Sequence, residues 1–381
     1  MAVTILEVKT GKQMTEFIRF PETLYKDNPY YVPSLEFDVR DTLSPKRNPA
    51  YEFCEAGLYL AYKDGKCAGR VAAIINRRAN EEWKHQEVRF GWYDFIDDQE
   101  VSKALMDKVE EFGRSRGMDT IVGPLGFTDF DPEGMLVDGY DRLCTMALIY
   151  NHPYYVKHVE EMGFEKDNDW IEFRIDFRGG LPEKITRVAS IVERRSKCHV
   201  RPLTKKMLRE EKYGYKVFDL INECYKDLYN FTILPEKLVK KYMDFYLGLL
   251  PLKYVSCIEN EKGELVSFGI IMPSLARALQ KTRGKLLPFG WYTLAKAMYW
   301  KYDDTLEMLL VGVRPDYRDS GINSLLFTDL FQRAVKDGFQ FAETNAIMET
   351  NNKNIAQWTI FPGECKKRRR SYIKKLQPLS E

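Results

Sequence analysis

Between residues 58 and 75 the chain reads LYLAYKDGKCAGRVAAII, two apolar runs around an Asp-Gly pair. This pattern predicts two strands joined by a tight hairpin turn. It returns at 253–272 as KYVSCIENEKGELVSFGIIM, with Gly269 at the place that Gly69 holds in the first copy. A further alternating, strand-like segment follows each hairpin, VRFGWYDFI at 88–96 and TLEMLLVGV at 305–313. The apolar spacing then becomes helical. Val101, Leu105, Val109 and Phe112 recur before Gly117, and Ile322, Leu325, Leu326, Leu330, Ala334 and Val335 recur before Gly338. Each stripe predicts an amphipathic helix stopped by a glycine. Short strands, TIVGPL from 120 and QFAETNAI from 340, precede Asn-led helical segments, NHPYYVKHVEEMGF from 151 and NNKNIAQW from 351. Hairpin, strand, helix, strand and helix thus occur twice in one order.

The alternation predicts an α/β fold with a mixed sheet in each of two tandem domains. A chain of 381 residues also exceeds the roughly 250 at which single cores stop growing. The Gly-Gly and Pro of FRGGLPEK, 177–184, break the periodicity, and WIEFRIDF before it is expected to close the first sheet. The expected organisation is an N-terminal domain over 1–178, a linker over 179–184 and a C-terminal domain over 185–381. The halves differ by insertions: GPLGFTDFDPEGMLVDGYDRL follows the first amphipathic helix, and ARALQKTRGKLLPFGWYTLAKAMYWKYDD precedes the second.

Composition narrows the chemistry. With 58 basic and 56 acidic residues, no global field draws the chain onto nucleic acid or an anionic membrane, and any anion site must be local. No apolar run approaches the ~20 residues of a membrane span. The opening MAVTILEVKTGKQ lacks the apolar core of a secretion signal, so the cytoplasm is the expected compartment. The seven cysteines are scattered and never in C-x-x-C pairs, and the four histidines lack H-E-x-x-H spacing. No disulfide framework, metal site or serine-hydrolase elbow is signalled.

The most informative segment is VGVRPDYRDSGINSLLF, 311–327, where an apolar strand ends, a turn with Pro315 and Gly321 follows, and a helix begins. The free N–H groups and dipole of a helix N-terminus favour an anion, and a glycine lets a phosphate approach the backbone. Arg318 adds positive charge. R-D-S-G-I-N in this setting resembles the R/Q-x-x-G-x-G/A motif of the GNAT superfamily of acyl-CoA N-acyltransferases, with Arg318 and Gly321 matching and Asn323 replacing the usual Gly or Ala. The resemblance extends along nearly the whole chain to bacterial two-domain GNAT-like proteins, through FIRFPETLYKDNPYYVPSL, GMDTIVGPLGF, EGMLVDGYD, NHPYYVKHVEEMGF and ETNAIMETN. It implies a tandem GNAT-like fold, an acyl-CoA cofactor (acetyl-CoA or another thioester) and a small-molecule or peptide amine acceptor. It places the cofactor at Val311, Val313, Arg318, Asp319, Ser320, Gly321, Ile322 and Asn323. The matching turn of the first half, YDFIDDQE, has Asp97 and Asp98 and no glycine, so the N-terminal domain is expected to lack the pyrophosphate loop.

Transfer to an amine requires loss of a proton from nitrogen, which a carboxylate near the strands can accept. Glu343 and Glu349 qualify, and ordinary ion pairing is the other reading of each. Asn351 and Asn354 resemble the GNAT segment that contacts the pantetheine arm, and equally suit a helix cap. Trp358 cannot protonate the leaving thiolate, so a tyrosine elsewhere, Tyr372 for example, or water would have to serve. Asp129, Asp131 and Glu133 read as turn chemistry in preference to a cation site, and KKRRR at 366–370 as a solvated edge strand in preference to a nucleic-acid contact. The leading expectation is acyl-CoA-dependent N-acyl transfer; the alternatives are an inactive GNAT-like binding protein and an aminoacyl-tRNA-dependent transferase.

Overall fold

The computed structural model describes residues 2–210, 212–300 and 303–377. Its first half runs β1 (Thr4–Glu7), α1 (Gly11–Leu24), α2 (Glu36–Thr42), β2 (Cys54–Lys63), β3 (Lys66–Asn76), α3 (Arg77–Trp83), β4 (Glu87–Phe95), α4 (Gln99–Arg114), β5 (Thr120–Gly123), β6 (Met135–Asp138), α5 (Tyr154–Glu161) and β7 (Glu165–Asp176). The second continues with α6 (Glu183–Ser196), β8 (His199–Val200), α7 (Lys205–Glu210), α8 (Tyr213–Tyr225), α9 (Glu236–Leu249), β9 (Val255–Glu259), β10 (Leu265–Pro273), α10 (Ala276–Thr282) and α11 (Gly290–Tyr299). Then come β11 (Thr305–Val313), α12 (Ile322–Lys336), β12 (Phe341–Glu343), β13 (Ile347–Met348), α13 (Asn352–Trp358) and β14 (Gly363–Lys375). The predicted repeat is present: β2, β3, β4, α4, β5 and α5 answer to β9, β10, β11, α12, β12 and α13.

Two compact units form. The first comprises the chain to Ile171, Leu279–Gly290 and the segment from Lys366 onward; the second comprises Glu172–Ala278 and Trp291–Cys365. Strands β1, β2, β3, β4, β5 and β14 lie in that order in the first unit's sheet, and β8, β9, β10, β11, β12 and the end of β7 in the second's. Each sheet has a parallel pair at the same place, β4 with β5 and β11 with β12. The units do not coincide with the sequence halves 1–178 and 185–381. Residues Glu343 to Phe341 of β12 pair with Arg174 to Asp176 of β7, while Tyr372 to Lys375 of β14 pair with Gly123 to Thr120 of β5. WIEFRIDF therefore does not close the first sheet alone; that strand position beside β5 belongs to the end of the chain. Residues 179–184 lie in the second unit, and the last two of them open α6.

Local chemistry explains the elements. Asp64 and Gly65 take φ of 54° and 74°, the positive values a two-residue hairpin turn demands. The matching glycines of the two hairpins serve close packing: a Cβ on Gly69 would lie 2.7 Å from Leu105 Cδ1 of α4, and one on Gly269 would lie 2.7 Å from Leu330 Cδ1 of α12. Each amphipathic helix thereby presses its leucine stripe onto its own sheet, over cores that include Val101, Leu105 and Val109 in one unit and Ile322, Leu326 and Leu330 in the other.

The basic run 366–370 is not a solvated edge. Lys367 and Arg369 are 1% and 0% exposed, because β14 is flanked and alternate residues turn inward. The Arg369 guanidinium donates to the carbonyls of Ile149 and Gly134. Arg368 and Arg370 instead converge on Asp169 at 2.9 and 2.8 Å. Burial opposes the Asp169 charge, yet hydrogen bonds from the two arginines hold its carboxyl below the usual range. Removing a buried donor orphans its acceptors. Arg369→Ala is expected to lower stability by about 3 kcal/mol, from orphaned carbonyls plus lost packing; urea denaturation measures it, and an unchanged midpoint would show that the carbonyls find other donors.

Candidate functional site

Strand β11 runs parallel to β12 only from Thr305 to Glu307, opposite Phe341 to Glu343. Beyond that point side chains take the vacated edge of β11. Asn345 Nδ2 donates to the Leu309 carbonyl at 3.2 Å. The Tyr225 hydroxyl, from the end of α8, donates to the Val311 carbonyl at 3.0 Å and accepts from the Val311 N–H at 3.3 Å. Val313 stays in the ladder opposite Ser267 of β10.

After β11 the chain makes a short turn fastened by Arg314, which grips Asp316 at 2.8 Å. Asp319 and Gly321 then take φ of 66° and 81°, and α12 begins at Ile322 with no side-chain hydrogen bond capping it. That end presents backbone N–H groups that no side chain caps, and such a helix N-terminus favours negative charge. The first unit contrasts with it. Asp98 caps α4 by accepting from the amides of Glu100 and Val101, and Lys63 neutralises Asp98 and Glu100. The gap beyond the parallel ladder is closed there by main chain, since Leu125 N–H donates to the Phe90 carbonyl at 2.9 Å.

The residues singled out in 311–323 are gathered at one end of β11, but several are already engaged. Arg318 Nη2 donates to the Cys224 carbonyl at 3.0 Å, closing the C-terminus of α8. Asp319 pairs with Lys353 at 2.6 Å, and Ser320 Oγ donates to the Tyr317 carbonyl. Asn323 Nδ2 donates to Gln357 Oε1 at 2.8 Å, and its Oδ1 is buried without a partner. Ile322 is core, 1% exposed. A Cβ on Gly321 would lie 3.0 Å from Val192 Cγ2 of α6, so this glycine serves helix packing as well as the turn. Asn351 caps α13 through the Asn354 amide, and the Asn354 carboxamide accepts from Gln357 and from Trp358 Nε1.

Of the carboxylates, Glu343 ends the parallel ladder and accepts from Arg174 Nη1 at 2.6 Å; Glu349 sits half-buried in the turn after β13. Tyr372 lies in the first unit's core, its hydroxyl donating to Glu160 at 3.0 Å. Burial, then Glu160, raises its pKa above the ordinary phenol value, which makes it a poor proton donor. Asp131 accepts from the Thr128 amide at 3.0 Å, and so belongs to a turn. Burial, then the neighbouring Asp129, pushes the Glu133 carboxyl well up.

Sequence reasoning missed Glu307. It is 2% exposed, receives a hydrogen bond from Ser274 Oγ at 2.7 Å, and stands opposite Glu343 in the ladder. A lone charge inside TLEMLLVGV was the available signal. Tyr225 carried none, because its contact with Val311 joins residues 86 positions apart. Among the described residues no cluster of three His, Cys, Asp or Glu could hold a metal ion.

No protein-family model matches the chain. Among solved structures, a tandem GNAT protein from the clavulanic acid biosynthesis pathway superposes with a TM-score of 0.60 at 12% identity, over 99% of this chain and all of that one. A GCN5-related N-acetyltransferase from Sphaerobacter thermophilus gives 0.53 at 12% identity, over 99% and 96%. The chain has the tandem GNAT fold. Curated relatives span most of its length: a protein named bacterial ceramide synthase from Caulobacter vibrioides is 27% identical over 84% of this chain and 82% of its own. Protein YghO of Escherichia coli is 27% identical over 94% and 92%.

In this GNAT fold the Arg174–Glu343 pair is half-sheltered, with side chains 33% and 11% exposed. Breaking such a pair leaves a carboxylate short of its cation. Arg174→Met is expected to cost about 2 kcal/mol, less than a fully buried pair would, and Arg174→Met with Glu343→Leu should recover most of it in the same denaturation assay. Additive losses in the double variant would show the pair to be uncoupled.

Proposed function

We propose that this chain transfers an acyl group from acyl-CoA to an amine, with the cofactor's pyrophosphate on the uncapped N-terminus of α12. The observation that carries the reading is the contrast between the two units: a carboxylate caps α4, whereas the corresponding end of α12 is left to backbone N–H groups. The bound thioester supplies an activated acyl carbonyl. Amides of the turn from Asp319 to Asn323 would hold the pyrophosphate. The outer edge of β11 at Val311 and Val313 would align the pantetheine arm once the Tyr225 hydroxyl turns aside.

The amine nitrogen attacks the carbonyl carbon, the C–S bond breaks, and the nitrogen loses a proton. Glu343 is the proposed acceptor of that proton, held by Arg174, with Glu307 as the adjoining carboxylate and Glu349 as the alternative base. The thiolate takes its proton from water. Acetyl-CoA or a longer acyl-CoA is the proposed donor, and the cytoplasm, where such thioesters reside, is the proposed compartment. The Caulobacter relative named ceramide synthase supports an amide-forming reaction, ceramides being N-acylated amino alcohols. It favours an amphiphilic amine over a peptide as acceptor. The second reading, a GNAT-like binding protein without activity, draws on Tyr225 and Arg318 already occupying the edge of β11 and the carbonyl of Cys224.

Calorimetric titration with acetyl-CoA and a long-chain acyl-CoA tests the cofactor. Gly321 is a poor target because its positive φ and contact with Val192 couple it to folding. Ser320→Glu is better: a carboxylate suits a helix N-terminus but repels a pyrophosphate. Thermal stabilisation of the wild type by about 2.7 kcal/mol at a hundred times the dissociation constant should vanish in Ser320→Glu. Gln99→Glu, at the start of α4, should leave it intact. Absence of binding in the wild type would sink the reading.

For the base, Glu343→Gln should lower kcat by about a hundredfold or more while acyl-CoA still binds. Undiminished turnover in that variant would move the role to Glu307 or Glu349.

A further inference from the structure

Helix α11 shows its unusual face to solvent. Leu294, Ala297 and Met298 are its buried residues, one side of a ten-residue helix. The opposite arc carries Trp291, Tyr292, Ala295, Lys296 and Tyr299, of which Trp291, Tyr292 and Tyr299 are 55%, 54% and 50% exposed. Trp300, directly after the helix, is 66% exposed, and Leu287 and Phe289, in the turn leading into it, are 79% and 77% exposed. Solvent-facing arcs ordinarily carry charge. Here the large aromatic and aliphatic residues most open to water, among the described residues, are concentrated in fourteen consecutive positions, 287–300.

Along the chain the charge around them has one sign, although Arg277 is paired with Asp303 and Lys285 with Glu22. Residues 276–302 contain Arg277, Lys281, Arg283, Lys285, Lys296 and Lys301 and no Asp or Glu. Lys281, Arg283 and Lys296 are exposed. The near-neutral total of the chain conceals this local excess. Tryptophan and tyrosine favour the boundary between headgroups and acyl chains, and lysines beside them are attracted by anionic lipid. A protein partner burying this face would have to bring acidic groups, whereas a bilayer supplies both the negative surface and the apolar layer.

We propose that the exposed face of α11, with Trp291, Tyr292, Lys296, Tyr299 and Trp300, docks on the surface of an anionic phospholipid bilayer. The docking is peripheral, since no helix of the described residues is long and apolar enough to cross a membrane. It does not rest on the acyl-transfer reading, although it would bring an amphiphilic acceptor within reach.

Sedimentation of the full-length protein with vesicles of phosphatidylglycerol and phosphatidylethanolamine, and with phosphatidylcholine vesicles, tests it. The wild type should partition onto the anionic vesicles, and lipids brominated near the headgroup should quench part of its tryptophan fluorescence. The double variant Trp291→Ser with Trp300→Ser should lose about tenfold or more in partitioning. Because both side chains are exposed, its circular dichroism should be unchanged. Lys296→Glu should weaken binding to anionic vesicles by roughly fivefold or more, which gives a second variant independent of the aromatic residues. The proposal is overturned if the wild type stays in the supernatant, or if both variants bind as the wild type does. It is also overturned if analytical ultracentrifugation shows a dimer that the tryptophan variant dissociates while vesicles capture nothing, for then a second copy covers this face.

Discussion

The parallel pairing of β11 with β12 stops after Glu307 and Glu343, and the candidate site depends on that early end. Two parallel neighbours need a crossover between them, and a right-handed helical crossover must start where the first strand finishes. Helix α12 therefore has its N-terminus delivered to the end of β11. Had the ladder continued, the main-chain groups of Leu309 and Val311 would be spent on β12. Because it stops, they are met by Asn345 and Tyr225, side chains that can rotate away as a strand cannot.

The same constraint acts on the first unit, with a different outcome. Strand β4 pairs with β5 only from Glu87 to Arg89, and α4 starts at the end of β4. There the opening is filled by the chain itself, through Leu125 and the Phe90 carbonyl, and the helix end by Asp98. A main-chain plug and a negatively charged cap leave neither an edge nor a dipole for an anionic ligand. One topology thus gives two local electrostatic environments, and the difference lies in a few side chains.

Much of this was legible in the sequence because it is local. The Asp64-Gly65 turn, the leucine stripes of α4 and α12, and the acidic turn against the glycine turn are each decided by residues within a few positions of one another. What was hidden depends on distant partners. KKRRR looks like a water-facing edge until β14 is known to lie beside β5, which buries Lys367 and Arg369 and gives Asp169 to Arg368 and Arg370. Arg318 reads as a phosphate ligand from its motif, yet its guanidinium also closes α8 through Cys224. Tyr372, offered by the sequence only as one tyrosine able to donate a proton, is drawn by the same strand into the first unit's core. Glu307 was visible as an odd charge in an apolar strand, but its relation to Glu343 and Arg174 exists only in the register.

An uncapped helix N-terminus is a cost. A Ser, Thr, Asp or Asn cap contributes about 1 kcal/mol, and α4 has taken that stabilisation through Asp98, whereas α12 starts at Gly321 without it. Position 321 cannot readily supply a cap, because its φ of 81° strains any side chain and Val192 crowds one. The free N–H groups of α12 are thus fixed by backbone geometry and by packing against α6, not by a vacancy that a single substitution would fill. An anion bound there would recover the missing interaction only while present, so the second unit would draw from a bound anion the stabilisation that the first unit carries in its own sequence.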